Sequence, residues 1–381
     1  MQKAGGLHYS GNTVSLLLQT TFICWLITKK IGWKLWVSER LFPVVPPFDF
    51  LYMPAAVHWF LLITVAALLI ILIFNPGNKY LQIGLLTAEL VSCLLDQNRW
   101  QPWEYQYLFI VVISIINHHQ KQKIITCIAF IMAATYLYSG LGKLNPGFLI
   151  LFWDKMVLAQ YFKIGNALIN HPYIYYCGYI IGVIEILAAA GLFFLKTQKI
   201  SAAALIMMHL VILILLGPFG LHYNKIIWPW NMLMMVQLWL IFLNKETVPI
   251  NINALWKGWN KIIIICWGVL PALNYAGLWD SYLSSRLYSG SLPQMVFCIK
   301  DSAEIKMLKP YLNKSDLYNV CKADALVNIQ TWAMKEMNTA PCPQLRVYKK
   351  IKEQWLKKYP GSSTKFVFYF PVGYKEIKII E

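Results

Sequence analysis

The sequence predicts a polytopic all-α membrane bundle of about nine spans, followed by a small basic α+β domain. Of its 381 residues, 58% are hydrophobic and 13% are charged, whereas soluble domains carry about 25% charged residues. The mean hydropathy is +0.51, and a soluble core of this size would not cover that much apolar surface. The 16 Trp and 22 Tyr fit the two membrane–water interfaces, where amphipathic rings collect.

The formal charge of +17 is most simply explained by basic loops and a basic tail beside anionic headgroups. The lipid bilayer is therefore the first predicted partner. Nucleic acid is not a predicted partner, because the sequence holds no recognisable nucleic-acid reader. If the spans alternate, basic loop residues divide almost evenly between the two sides, so the positive-inside rule gives no orientation.

The first apolar run, 13–28, is closed by Lys29 and Lys30 and lacks a cleavage site, which predicts an uncleaved span. Further spans are predicted near residues 53–75, 80–95, 105–117, 123–141, 173–195, 199–217, 226–243 and 260–276. The run at 105–117 is the weakest, and a re-entrant segment is the alternative there. The stretch 147–164 contains Asp154 and Lys155, which predicts an amphipathic helix at the interface or the bundle mouth.

The composition divides the chain into a membrane domain, 1–280, and a soluble domain, 281–381. In the second part QMVFCIK, KFVFYF and YKEIKII are typical of strands, the last two joined by a PVG turn. The segment LRVYKKIKEQWLKKY predicts an amphipathic helix. Its apolar face is expected to hold Leu345, Tyr348, Ile351 and Trp355.

The eight cysteines contain no CxxC pair, so neither a thioredoxin-like site nor a zinc ribbon is indicated. Five lie in apolar runs and are expected to be small core residues. The other three, Cys298, Cys321 and Cys342, lie in the tail. A disulfide among them requires an oxidising compartment, and the sequence does not choose the pair.

Ionisable groups inside spans are costly and need an explanation. The clearest are Glu89, Glu185 and His209, with His58 nearer a span end. Each either pairs with another polar group and pins helices together, or contributes to a polar pocket within the bundle.

The turn LDQNRWQPWEYQY, 95–107, joins two spans, and Asp96, Arg99 and Glu104 are expected to pair there. Its aromatic residues are expected at headgroup depth; they are Trp100, Trp103 and Tyr105. The alternative is the wall of a pocket mouth, with Arg99 holding an anionic group. A second expected pair is Asp280 with Arg286, at the start of the tail.

In ATYLYSGLGKLNPGF, Ser139, Gly140 and Gly142 permit close helix packing, and Lys143 falls at the span end. Lys143 is either a snorkelling interfacial lysine or a partly buried base beneath the 147–164 helix. In the segment 209–232, Asn224, Trp228, Trp230 and Asn231 gather near two prolines. That arrangement indicates pocket lining or ordinary loop packing.

YLYSGLGKLNPGF, followed by a span with an internal histidine, resembles the membrane core of vitamin K-dependent γ-carboxylase. The wider group is the horizontally transferred transmembrane (HTTM) domain family, and the resemblance covers roughly residues 50–245. It implies that Lys143 is the base acting on a reduced quinone, and makes His209 a second catalytic candidate. The tail is shorter than the soluble portion of those carboxylases, so the resemblance extends to quinol chemistry rather than to peptide carboxylation.

The predicted site therefore combines catalytic Lys143 and His209 with cofactor-binding side chains and no metal. The predicted cofactor-binding residues are Glu89, Arg99, Glu185, Trp228 and Asn231. Whether the chain is an enzyme stays open. The alternatives are a membrane scaffold or accessory subunit that docks a protein partner through its tail, and a redox-accessory protein of the DoxX type. The expected location is the plasma membrane, with the tail outside the cytoplasm.

Overall fold

The computed structural model describes residues 11–244, 249–314, 320–322, 324–370 and 378–379. The helices of the first part are α1 (Gly11–Ile31), α2 (Ala55–Phe74), α3 (Lys79–Leu94), α4 (Pro102–Ile116), α5 (Lys121–Lys143), α6 (Leu149–Tyr161), α7 (Pro172–Gly191), α8 (Gln198–Leu216), α9 (Lys225–Leu243) and α10, built from Lys261–Ile263, Ile264–Val269 and Leu270–Leu273. Among the described residues six of these, α1, α2, α5, α7, α8 and α9, are long and apolar enough to cross a membrane. The prediction of a helical membrane bundle is confirmed at this level.

The three remaining predicted spans correspond to the shorter helices α3, α4 and α10. The α4 helix has 15 residues, or about 22 Å of length, against a hydrocarbon core of about 30 Å. The count of nine crossings therefore stays a prediction.

The α5 helix is the most buried of the six long helices. In contrast, α2, α7 and α8 keep large apolar side chains on their outer faces; Phe74, for example, is 82% exposed. Leu187 and Met207 are exposed in the same way. Outward-facing apolar side chains around a central helix are the pattern expected where lipid surrounds the bundle.

The α5 and α7 helices approach closely at two glycines. A Cβ placed on Gly140 would lie 2.8 Å from the carbonyl oxygen of Gly182, and the reciprocal distance is 2.9 Å. Any larger residue would push the two helices apart. This contact also brings Lys143 of α5 beside α7, since its Cβ lies 3.2 Å from that of a side chain built on Gly182.

The predicted amphipathic helix at 147–164 is present as α6, wound as a π-helix after a short turn, Pro146–Phe148. Asn145 begins that turn by accepting a hydrogen bond from the amide of Phe148. Trp153 donates to the carbonyl of Ile174 over 2.8 Å, which fixes α6 against the start of α7. π-Helical turns are rare and often lie near functional sites.

The tail is an α+β domain, as the sequence predicts. Its antiparallel sheet has the strand order β2-β1-β3-β4, with β1 (Gln294–Ile299), β2 (Ala325–Asn328), β3 (Lys365–Tyr369) and β4 (Lys378–Ile379). Its helices are α11 (Ser302–Leu308), α12 (Ile329–Met337) and α13 (Leu345–Lys358). The predicted PVG turn lies outside the described residues. The sequence analysis missed β2, α11 and α12, whose segments are short.

The α13 helix buries Val347, Tyr348, Ile351 and Trp355. The prediction is wrong at Leu345, which is 42% exposed. Leu345 is the first residue of the helix and lies beyond the edge of the sheet, so Val347 fills the core position instead.

The tail is fixed to the bundle by hydrogen bonds from buried groups. The carboxylate of Glu336, in α12, accepts from the amide of Leu41 at 2.6 Å and from that of Phe42 at 3.1 Å. Asn338 donates to the carbonyl of Ile31, the last residue of α1, over 2.9 Å. The domain therefore packs on the loop after α1 rather than extending as a free arm.

One disulfide joins Cys298 of β1 to Cys321. Cys342 is buried and is not disulfide-bonded. Of the five cysteines in the apolar runs, Cys93 and Cys127 are buried as expected, whereas Cys177 is exposed on the outer surface.

The predicted pair of Asp280 with Arg286 is not formed. Asp280 instead binds Arg346 of α13 in a two-pronged ion pair of 2.5 and 2.6 Å. Arg286 donates to Asn274 over 2.7 Å and to Ser291 over 2.8 Å. Both acceptors lie close along the chain, so the local turn satisfies Arg286 and leaves Asp280 for the tail.

A second exposed ion-pair group joins α13 to the loop before α2. Asp49 binds Lys350 at 2.5 Å and Lys357 at 3.2 Å. Hydrogen bonds from Lys350 and Lys357 lower the pKa of the Asp49 carboxyl. A carboxyl with a lowered folded-state pKa stabilises the fold above its unfolded pKa, and that stabilisation is lost as the pH falls through the folded pKa.

We therefore expect Asp49→Asn to lower the melting temperature of the detergent-solubilised protein near neutral pH, and the difference from wild type to vanish below about pH 3. Adding salt at neutral pH should shrink the same difference, because the pair is exposed. Melting curves of both proteins across pH measure it. A difference that persists unchanged in strong acid would contradict the ion-pair explanation.

Candidate functional site

The buried polar side chains of the bundle form two separate groups. The first surrounds Lys29, at the end of α1. Its ammonium lies 2.6 Å from the carboxylate of Glu89 in α3 and 3.4 Å from that of Glu104 in α4. The indole of Trp25 donates to both oxygens of Glu104, at 2.9 and 3.0 Å. The ring of Trp36 covers the ammonium, with its centroid 2.9 Å away, so the ammonium makes a cation–π contact as well.

Two further ionic contacts adjoin this group. Arg40 is ion-paired with Asp96. Arg99 donates to the carbonyl of Ser92 over 2.8 Å and contacts Nδ1 of His58 at 2.9 Å. Burial lowers the pKa of Arg99 to about 10, which leaves it protonated at neutral pH.

The expected pairing among Asp96, Arg99 and Glu104 is therefore wrong, since each has a different partner. The aromatic residues of this turn are also deeper than predicted: Trp103 and Tyr105 are buried rather than placed at headgroup depth. Residues before α2 supply Lys29 and Arg40, and these cations draw the acids inward.

The six charges of this group balance, three of each sign, and all six side chains are buried; they are Lys29, Arg40, Arg99, Glu89, Asp96 and Glu104. Arg99 has its donors engaged by protein groups and none directed to an open cavity. Two predicted binding residues, Glu89 and Arg99, thus hold the N-terminal helices together.

Glu89, Cys93 and Glu104 also place ligand atoms within 4.8 Å of one another, a spacing that could hold a metal ion. The ammonium of Lys29 already binds both carboxylates, however, and its charge disfavours a second cation between them.

The second group contains Lys143. Its ammonium binds Glu185 of α7 at 2.5 Å and the hydroxyl of Ser139 at 2.6 Å. The Lys143 side chain is 11% exposed and that of Glu185 is 3% exposed. Lys143 is therefore not a freely snorkelling lysine; it is one half of a nearly buried donor–acceptor pair.

His209 of α8 lies in a neighbouring hydrogen-bonded chain. Its Nε2 is 2.7 Å from the hydroxyl of Tyr136 in α5, and its Nδ1 is 2.7 Å from Oδ1 of Asn231 in α9. The amide nitrogen of Asn231 in turn donates to the carbonyl of Ile227 over 2.8 Å. This fixed orientation makes Asn231 the acceptor, so His209 carries its proton on Nδ1 and accepts from Tyr136.

Both polar arrangements share one face of α5. Tyr136, Ser139 and Lys143 follow one another at spacings of three and four residues, which places them in a stripe about 10 Å long. The stripe runs from the buried His209 to the partly open Lys143. The spacing was visible in the sequence, but Tyr136 was missed because a tyrosine in an apolar span has no distinctive pattern.

The predicted site is thus divided. Lys143 with Glu185, and His209 with Asn231, are brought together along α5, whereas no hydrogen bond or ion pair among the described residues links them to Glu89 or Arg99. Trp228 begins the last turn before α9, and its indole nitrogen is buried with no hydrogen-bond partner in the described chain. Comparison with family models, curated proteins and solved structures finds no match for this chain.

The charge balance around Lys29 gives a stability prediction. Lys29→Met leaves Glu89 and Glu104 without their cation, and removing one partner of a buried ion pair costs about 3–5 kcal/mol. We expect a strongly reduced free energy of unfolding in detergent. The double variant Lys29→Met, Glu89→Gln should recover part of the loss, because it removes one of the two uncompensated charges. A single variant as stable as wild type would show that the pair is not needed.

The glycine contact gives a second prediction with a matched control. Gly140→Ala forces a Cβ against the backbone of α7 and should destabilise the protein by about 1–3 kcal/mol. Gly84→Ala, in α3, should be tolerated, since the nearest atom to its Cβ is a Leu68 methyl at 3.9 Å. Unfolding measured side by side tests both. Equal stability of the two variants would mean that α5 and α7 are not in close contact.

Proposed function

We propose that the protein is a membrane enzyme whose Lys143–Glu185 pair performs acid–base chemistry on a hydroxyl group of a lipid-phase substrate, with a reduced quinone as the best candidate. The observation that supports it is a donor and an acceptor 2.5 Å apart, nearly buried but still 11% exposed at the lysine. Purely structural ion pairs need no such exposure. The resemblance to the carboxylase-type core is a second, independent support, because it selects the same lysine.

The side chains fit the chemistry that a quinol hydroxyl requires. Glu185 is the acceptor for the hydroxyl proton, and Lys143 with Ser139 can donate hydrogen bonds to the oxygen that becomes negative. In the related interpretation taken from the resemblance, Lys143 itself accepts the proton. In both cases His209 and Tyr136 extend the hydrogen-bonded stripe inward and offer a route for the proton along α5.

This proposal predicts that the purified protein binds a short-chain quinol with a saturable isotherm. Both Lys143→Ala and Glu185→Gln should weaken binding by about tenfold or more, since each removes a charged hydrogen-bonding partner. Fluorescence quenching of the protein's tryptophans during a titration measures it.

Lys155→Ala is the matched control, because Lys155 lies in α6 and is exposed. Its affinity should equal that of wild type. If Lys143→Ala folds and binds the quinol as tightly as wild type, the acid–base proposal fails. A variant that unfolds is uninformative by itself, so Glu185→Gln, which keeps the shape of the side chain, provides the second measurement.

We also infer that the tail faces an oxidising compartment outside the cytoplasm, with the bundle in the plasma membrane. The disulfide between Cys298 and Cys321 supports this, because such bonds persist in oxidising environments. The tail lies at the end of the bundle where α1 ends and α2 begins, so all loops on that face would share its compartment.

For protein extracted from native membrane without reductant, we expect Cys298 and Cys321 to resist alkylation until a reductant is added. Cys342, which is not disulfide-bonded, should be alkylated as soon as the protein is denatured, and it serves as the internal control. Mass spectrometry of the tail peptides distinguishes the three cysteines. Alkylation of all three before reduction would place the tail in a reducing compartment.

A further inference from the structure

A polar cavity of about 510 Å³ lies between the bundle and the tail. The loop between α8 and α9 forms one wall, and the sheet with the start of α12 forms the other. Its lining is rich in amide and hydroxyl groups, from Asn224 on the bundle side and from Gln294, Asn328, Gln330 and Thr331 on the tail side. It is separate from the stripe on α5, since neither Lys143 nor His209 is among its lining residues.

Asn224 carries the most specific observation. The residue is 6% exposed, and its amide nitrogen donates to the hydroxyl of Tyr288. Its Oδ1, however, accepts no hydrogen bond from any described residue. A buried acceptor without a donor costs about 1–3 kcal/mol, so a ligand hydroxyl placed here would regain that free energy.

The loop also holds an uncommon backbone shape. Asn224 has φ of 50° and His222 has φ of 49°, which puts both in the left-handed region. Such positions are energetically unfavourable and persist where the surrounding structure fixes them, often at ligand sites. Here they turn the loop so that Asn224 faces the tail.

The charge of the cavity selects the ligand's charge. Its lining contains two exposed lysines, Lys225 and Lys335, and no acidic residue. Lys335 donates one hydrogen to the carbonyl of Pro310 over 2.9 Å and has two further donors. A second cavity of about 560 Å³ differs in this respect, because its Asp49 already binds the lysine Lys357.

We propose that this cavity binds an anionic polyol headgroup, in which a phosphate contacts Lys225 and Lys335 and a hydroxyl donates to Oδ1 of Asn224. The α8–α9 loop ends two membrane-length helices and therefore lies at headgroup depth, which favours a lipid such as phosphatidylglycerol over a free solute. The site is independent of the acid–base proposal for Lys143.

The test uses the full chain in a neutral detergent, titrated by calorimetry with dihexanoyl phosphatidylglycerol. Dihexanoyl phosphatidylcholine and glycerol 1-phosphate are the comparison ligands. We expect saturable phosphatidylglycerol binding that falls by about tenfold or more in Asn224→Leu and in the double variant Lys225→Gln, Lys335→Gln. The double variant Lys300→Gln, Lys306→Gln removes the same charge from exposed tail positions outside the cavity and should bind like wild type.

Each outcome decides something. Glycerol 1-phosphate binding as tightly as the lipid would support the site and identify its ligand as a soluble anionic polyol. No saturable binding of either compound, or equal binding of phosphatidylcholine, would overturn the proposal. So would an equal loss in the Lys300 and Lys306 control, which would show general charge attraction. The Lys225 and Lys335 variant guards against misfolding of Asn224→Leu, because both lysines are exposed and its melting temperature should match wild type.

Discussion

The ammonium of Lys29 has to be neutralised inside the bundle, and the arrangement of the first four helices follows from that constraint. A lone charge at such a place would cost several kcal/mol, so α3 and α4 must present Glu89 and Glu104 to the end of α1. The two acids then exceed the one lysine by a charge. Balance is reached only when Arg40, Asp96 and Arg99 are counted as well, which ties the loop after α1 and the α3–α4 turn into the same unit.

This neutral group also explains why the tail is a fixed part of the molecule. Asp96 orients Asn98, whose side-chain oxygen accepts from the amide of Cys342 in the tail over 3.2 Å. Glu336 closes the contact from the other side by capping the loop at residues 41–42. The path from the buried charges to the tail is therefore a short series of hydrogen bonds. The cavity at Asn224 depends on it, since one of its walls belongs to each part.

The sequence was sufficient for the features that depend on composition and periodicity. Hydropathy located the helices, and alternation located β1, β3 and the helix α13. It also drew attention to Glu185, Lys143 and His209, because ionisable residues in apolar runs are rare. The partners were not predictable in the same way: Lys29 looked like an ordinary basic residue closing a span, and Tyr136 like an ordinary aromatic. Which charges meet depends on how helices distant in the chain pack, and no local pattern carries that information.

The separation of Lys29 from its acids has a consequence for biosynthesis. Glu89 is 60 residues further along the chain and Glu104 is 75. As the ribosome delivers α1 to the membrane, its lysine has no counter-ion and is held near the aqueous boundary, where snorkelling keeps the charge hydrated. Only after α3 and α4 emerge can α1 move to its final depth. Insertion of the first helix is thus a two-stage event, completed by segments synthesised later.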